Sequence, residues 1–137
     1  MSEENINLTA QKVSSTPGLT ISYRRIKIRI HRSTIRALGF PTHIRLLMNP
    51  NDLKLAVQAC DKSERRSFKV PKNLFVDSGR FEITSIALLR LILKYTDWEE
   101  GKAYKLYGET SVQERLVLFD LKEFEVVIDF ADEEGTT

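Results

Sequence analysis

One arrangement of residues occurs twice, and it constrains this chain more than any single motif. Residues 26–60 read IKIRIHRSTIRALGFPTHIRLLMNPNDLKLAVQAC, and residues 81–121 read FEITSIALLRLILKYTDWEEGKAYKLYGETSVQERLVLFDL. Each stretch opens with a short run of alternating apolar and polar residues. It then passes into helical apolar spacing and ends in two alternating runs joined by a polar turn. A further strand is expected after each, at Arg66–Pro71 and at Glu123–Phe130. The chain therefore reads β-α-β-β-β twice. A duplicated supersecondary unit predicts one α+β domain made of two pseudo-symmetric halves.

The expected boundaries follow from composition. Residues 1–20 lack periodicity and contain Ser14-Ser15-Thr16-Pro17-Gly18, so they read as a flexible N-terminal arm. Residues 21–130 form a single duplicated domain, with units at about 21–72 and 73–130, and 131–137 is an acidic tail. In the first unit, Tyr23–Ile30 is a strand with Ile26, Ile28 and Ile30 inward and Arg25, Lys27 and Arg29 outward. A short helix, Arg32–Leu38, has Ser33 or Thr34 as its cap, and Gly39 suits a left-handed C-terminal position. His43–Asn49 and Leu53–Cys60 form a hairpin around Asn49-Pro50-Asn51-Asp52. In the second unit, a helix over Ser85–Asp97 is expected to bury Ile86, Leu89, either Ile92 or Leu93, and Tyr95, and its cap is Thr84 or Ser85. Tyr104–Glu109 and Arg115–Leu121 form the second hairpin, and Phe124, Val126, Ile128 and Phe130 of the last strand are expected to face inward.

A chain of 137 residues suits one core. The most apolar run, Ile86–Leu93, is broken by Arg90 and is too short to cross a bilayer. The polar, acidic N-terminus is unlike a secretory signal, and the single cysteine, Cys60, cannot close an internal disulfide. A cytoplasmic protein without membrane contact is expected. No phosphate-binding glycine loop, CxxC or HExxH spacing is present, and the two histidines, His31 and His43, suit surface or cap positions. No catalytic residue, metal ligand or cofactor is indicated, so the protein reads as non-enzymatic.

Charge is the remaining signal. Residues 21–72 hold thirteen Lys/Arg against three Asp/Glu, a net of +10, whereas residues 97–137 hold four against twelve, a net of −8. A basic half suits a polyanion such as duplex DNA, and an acidic end suits a protein partner or a second copy of the chain. The candidate nucleic-acid contacts are Arg25, Lys27 and Arg29 on the first strand, with Arg32, Arg36, Arg90 and Lys94 on the helices. The candidate partner contacts are Trp98, Glu109, Glu114, Asp120, Glu123 and Glu125, where carboxylates could imitate phosphates on a nucleic-acid enzyme's groove. Trp98 also suits the open end of the core. Few aromatics interleave with the basic residues, which argues against a stacking platform for single strands.

Two families resemble parts of this chain. The β-α-β-β-β repeat over 22–130 looks like one domain of the DNA sliding clamps, in element order alone. That resemblance implies paired helices on one side of the sheets facing DNA, and edge strands pairing between subunits. Residues 26–60, with Ile35-Arg36-Ala37-Leu38-Gly39 closing the helix, are similar to the swapped-hairpin DNA-binding domains of the AbrB type. There His31 stands where a proline is usual. This second resemblance implies an intertwined dimer acting as a transcriptional regulator, and it leaves the second unit unexplained. The functional expectation is a small nucleic-acid-binding or clamp-like accessory protein. The alternatives are an acidic interaction module or inhibitor, of phage or mobile-element type, and an AbrB-type regulator.

Overall fold

The computed structural model describes residues 16–76 and 78–128. The first fifteen residues of the expected arm, the predicted strand positions Asp129 and Phe130, and the tail 131–137 lie outside the described residues. The elements run β1 (Gly18–Ser22), β2 (Lys27–Ile30), α1 (Arg32–Ala37), β3 (His43–Asn49), β4 (Lys54–Cys60) and β5 (Phe68–Lys69). They continue with β6 (Phe81–Ile83), α2 (Ile86–Tyr95), β7 (Ala103–Ser111), β8 (Leu116–Asp120) and β9 (Glu125–Val127). After β1, the order is β-α-β-β-β twice.

Every pairing among the described strands is antiparallel. The path β5-β3-β4-β8-β7-β1-β2-β6 curls into a nearly closed, barrel-like sheet, with β9 added beside β7. The result is a mostly-sheet α+β domain, with two helices among the described residues. β7 joins the two parts of the sheet. Ala103–Tyr107 pairs with β1, and Gly108–Ser111 pairs with β8. At the change of partner stands Gly108, which is buried. A methyl group there would lie 2.6 Å from Val117 Cγ1 and 2.8 Å from Phe119 Cε1, so those two side chains occupy the space a Cβ needs.

Period-two patterning builds the interior. Leu19 and Ile21 of β1, Ile28 and Ile30 of β2, Leu55 and Val57 of β4, and Val117 and Phe119 of β8 are buried in one core. α1 adds Ile35 and α2 adds Leu89 and Ile92, whereas Ile86 and Tyr95, expected in the same buried stripe, are exposed at the two ends of the helix. The Ser85 hydroxyl caps α2 by accepting from Leu88 N–H, as the sequence suggested. Tyr23 Oη donates to the Leu89 carbonyl at 2.9 Å and ties α2 to the β1–β2 turn.

Several expectations are corrected. Gly18–Thr20, expected in the loose arm, belong to a buried strand, because Gly-Leu-Thr-Ile-Ser pairs with β2 on one side and β7 on the other. The predicted strand over Tyr23–Ile30 is broken by a turn in which Ile26 adopts φ 58° and is exposed rather than inward. Neither Ser33 nor Thr34 caps α1: His31 holds the cap position without a side-chain cap bond, and the Thr34 hydroxyl donates to the Gly18 carbonyl at 2.7 Å. Gly39 does take the left-handed position, with φ 76°. Gly39 N–H bonds Arg36 O and Phe40 N–H bonds Ile35 O, the paired bonds of a Schellman closure. Phe124 sets one side of its ring against Trp98 and Tyr104, but Val126 and Ile128 do not face a covered core. They are exposed, Ile128 at 77%, because β9 lies at the margin of the sheet.

Leu89→Ala is expected to destabilise the fold by roughly 2–5 kcal/mol, the range for emptying a buried leucine site, while Arg90→Ala on the exposed face stays within about 0.5 kcal/mol. Gly108→Ala should cost about 1–3 kcal/mol, as overpacking does. Urea unfolding midpoints of the three variants check this, and an unchanged Gly108→Ala midpoint would show that Val117 and Phe119 yield freely.

Candidate nucleic-acid interface

The seven predicted cationic contacts divide into internal and surface groups. Arg29 is only 2% exposed and grips Glu82 of the neighbouring strand, with Nε at 3.1 Å and Nη2 at 2.6 Å from Oε2. The register pairs Arg29 with Glu82 directly, so the ion pair follows from strand alignment. Its expected outward, phosphate-facing role is therefore corrected. Lys27 Nζ reaches Thr84 Oγ1 at 2.9 Å. Arg32 donates to the carbonyls of Leu74 (3.0 Å) and Gly79 (2.9 Å), holding the connector between β5 and β6 against α1. These bonds direct its guanidinium to the backbone rather than to a ligand. Arg25 is exposed in the β1–β2 turn, where its N–H bonds Ser22 Oγ.

Arg36, Arg90 and Lys94 do reach the surface. The Arg36 guanidinium lies 5.1 Å above the centre of the Phe75 ring, and Lys94 Nζ lies 5.6 Å from that of Tyr95. Arg90 has no ion-pair partner among the described residues.

The structure adds a basic site that helix-face reasoning missed. Arg45 of β3 and Arg65 and Arg66 of the loop after β4 line one cavity of about 680 Å³ with Leu46, Leu47 and Glu64. Arg45 is anchored by Gln58, Nε to Oε1 at 2.9 Å, and its Nη1 stands 3.6 Å from Glu64 Oε2. Arg65 and Arg66 are exposed and have no ion-pair partner among the described residues. Arg66 also lines an apolar groove of about 340 Å³ with Leu88 and Leu91 of α2, so the arginine loop and α2 border one surface. The only sequence signal was the adjacent Arg65-Arg66 pair in a polar turn.

The predicted acidic contacts also divide. Asp120 pairs with Lys54 at 3.1 Å and accepts from Lys122 N–H at 2.9 Å. Burial alone would raise its carboxyl, but these two partners outweigh it and hold the group below its ordinary value. Glu114 accepts from Ser111 Oγ within the β7–β8 turn. Glu109, Glu123 and Glu125 are exposed, without an ion-pair partner among the described residues. Trp98 is buried, stacked on Tyr104 with ring centres 4.2 Å apart and edge-on to Phe124, so it closes the core rather than presenting a surface anchor.

Burial, then Glu64, pushes the half-buried Cys60 thiol up, away from thiolate character. His31 is buried, with Nε2 2.8 Å from Thr20 Oγ1. Among the described residues no group of three or more His, Cys, Asp or Glu is placed to hold a metal ion, and no helix is long and apolar enough to cross a membrane. Comparison with protein-family models, curated proteins and solved structures finds no match to this chain.

Two substitutions check these assignments. Arg29→Ala should lower stability by about 2 kcal/mol, the scale of a lost charge-assisted hydrogen bond, because a buried strand loses its cross-strand clamp. A thermal midpoint equal to wild type would place Arg29 outside the structural network. Asp120, with a folded value below the ordinary 3.8, contributes stability above 3.8 that is lost as pH falls through the folded value. The stability gap between wild type and Asp120→Asn should thus be present at neutral pH and shrink in acid, as followed by urea unfolding across pH.

Proposed function

We propose that the protein is a small, non-enzymatic nucleic-acid-binding accessory protein with a clamp-like division into two halves. One observation carries the reading: Arg45, Arg65 and Arg66 line a single cavity that holds one carboxylate, Glu64. Guanidinium forks match phosphate oxygens, and neutralised phosphates release counterions. Arg90 and Lys94 extend the cationic surface along α2, which borders Arg66. Arg36 and Arg25 contribute further exposed charge.

The clamp-like division rests on pairing. Corresponding strands of the two units pair antiparallel with each other, β2 with β6 and β4 with β8, an arrangement compatible with an approximate two-fold relation. The same pairings occupy β2 and β4 within one chain, which favours this reading over an AbrB-type dimer formed by exchanged hairpins. A cytoplasmic location rests on the single cysteine and remains part of the proposal.

An acidic interaction surface is the second reading. Glu123 and Glu125 are exposed beside the exposed Phe124 and Val126, a mixture suited to a basic, partly apolar protein partner or a second copy.

Fluorescence anisotropy on a labelled duplex separates the two. Affinity should fall steeply between about 50 and 200 mM salt, with little sequence preference. Arg65→Ala with Arg66→Ala should weaken binding and lower the log–log salt slope by about two units. Glu123→Gln with Glu125→Gln should leave affinity equal or slightly raised. No duplex binding by folded protein at about 50 mM salt would remove the nucleic-acid reading and favour the acidic surface.

A further inference from the structure

We propose that Phe40 and Phe75, beside Arg36, form a stacking platform for the unpaired bases of a single-stranded nucleic acid. The inference rests on the nucleic-acid reading and names the form of ligand. It begins from a backbone outlier. Phe40 adopts φ 56°, a left-handed conformation that is costly for a residue with a side chain. In the closure that ends α1, the residue at this position commonly folds an apolar side chain back onto the last helical turn. Here the Phe40 ring is 61% exposed instead. Its ring centre lies 5.2 Å from that of Phe75, at an interplanar angle of 63°. The Arg36 guanidinium covers Phe75 at 5.1 Å, and the exposed Val76 extends the patch.

Two exposed rings with a cation against one of them can hold a flat π-system next to an anion. An unpaired nucleotide presents both, since its base offers a face and its phosphate a charge. A duplex hides its base faces in its own stack. The surrounding charge selects a polyanion over an apolar protein surface. Exposed Lys72 lies three residues before Phe75 in the chain, and exposed Lys69, Arg66 and Arg65 lead back toward the arginine cavity. A strand with phosphates along this track and bases turned onto Phe40 and Phe75 uses both features. The sequence shows few aromatics among its basic residues, and Phe40 and Phe75 meet Arg36 only when α1 and the connector after β5 come together.

The test compares a labelled oligothymidylate of about 16 nucleotides with a duplex of equal length, by anisotropy. Variants are Phe40→Ala and Phe40→Tyr. Alanine meets the same backbone strain as phenylalanine at φ 56°, so the change removes the ring alone. Phe40→Ala should weaken the single strand about tenfold and leave duplex binding within about twofold, while Phe40→Tyr restores single-strand affinity. Equal losses on both ligands, or no loss on either, would overturn the platform and leave duplex binding standing. Failure of wild type to bind either nucleic acid would overturn the underlying reading with it, and Phe40 and Phe75 would then mark a protein contact.

Discussion

The whole sheet depends on one strand changing partners at one small residue. β7 is paired with β1 along its first half and with β8 along its second, while β9 joins it at the start. The switch falls at Gly108, whose missing side chain leaves room for Val117 and Phe119. A bulkier residue would hold β8 away from β7, and β8 carries β4 and hence the first hairpin. Because the switch is tight, Leu19 and Ile21 from one part share a core with Leu55, Val57 and Phe119 from the other. A single close approach thus converts two hairpins and their attached strands into one domain.

Arginine serves two opposite purposes in this protein. Arg29 and Arg32 work internally, the first clamping β2 to β6 and the second bonding two connector carbonyls. Arg36, Arg65 and Arg66 remain at the surface, in places where a phosphate could reach them. The guanidinium group suits both tasks because its planar fork donates several bonds and stays charged when partly covered. Counting basic residues therefore overstates the cationic surface. The exposed cations include Lys62, Arg65 and Arg66 on the loop after β4, Arg90 and Lys94 on α2, and Arg36 at the end of α1.

The end of α1 shows how a structural device can present a functional group. Gly39 allows the left-handed turn that satisfies the last helical carbonyls, and the same turn directs the next residue outward. Arg32 meanwhile holds the connector that bears Phe75. The platform is thus assembled by helix closure on one side and by backbone hydrogen bonds on the other. Neither Phe40 nor Phe75 is placed there by its own burial.

Periodicity determined much of this fold. His43–Asn49 was legible to the residue, and β4, β7, β8 and α2 nearly so, because each buries one face and must repeat at two or 3.6 residues. Gly39 and Ser85 were legible because helix ends demand special backbone or a side-chain acceptor. β1 was not, since its five residues, starting at Gly18 directly after Pro17, carry too short a pattern to separate from a loop. The exposed face of β9 was not, since alternation reports two faces but not whether anything covers the apolar one. Tertiary structure alone decided which arginines are internal. Arg29 and Arg36 look equivalent along the chain, and they differ only because β2 aligns the first with Glu82, fifty-three residues away, while α1 leaves the second above Phe75. A local sequence pattern carries a residue's neighbours at short range; ion pairs and ring contacts depend on partners that only folding brings near.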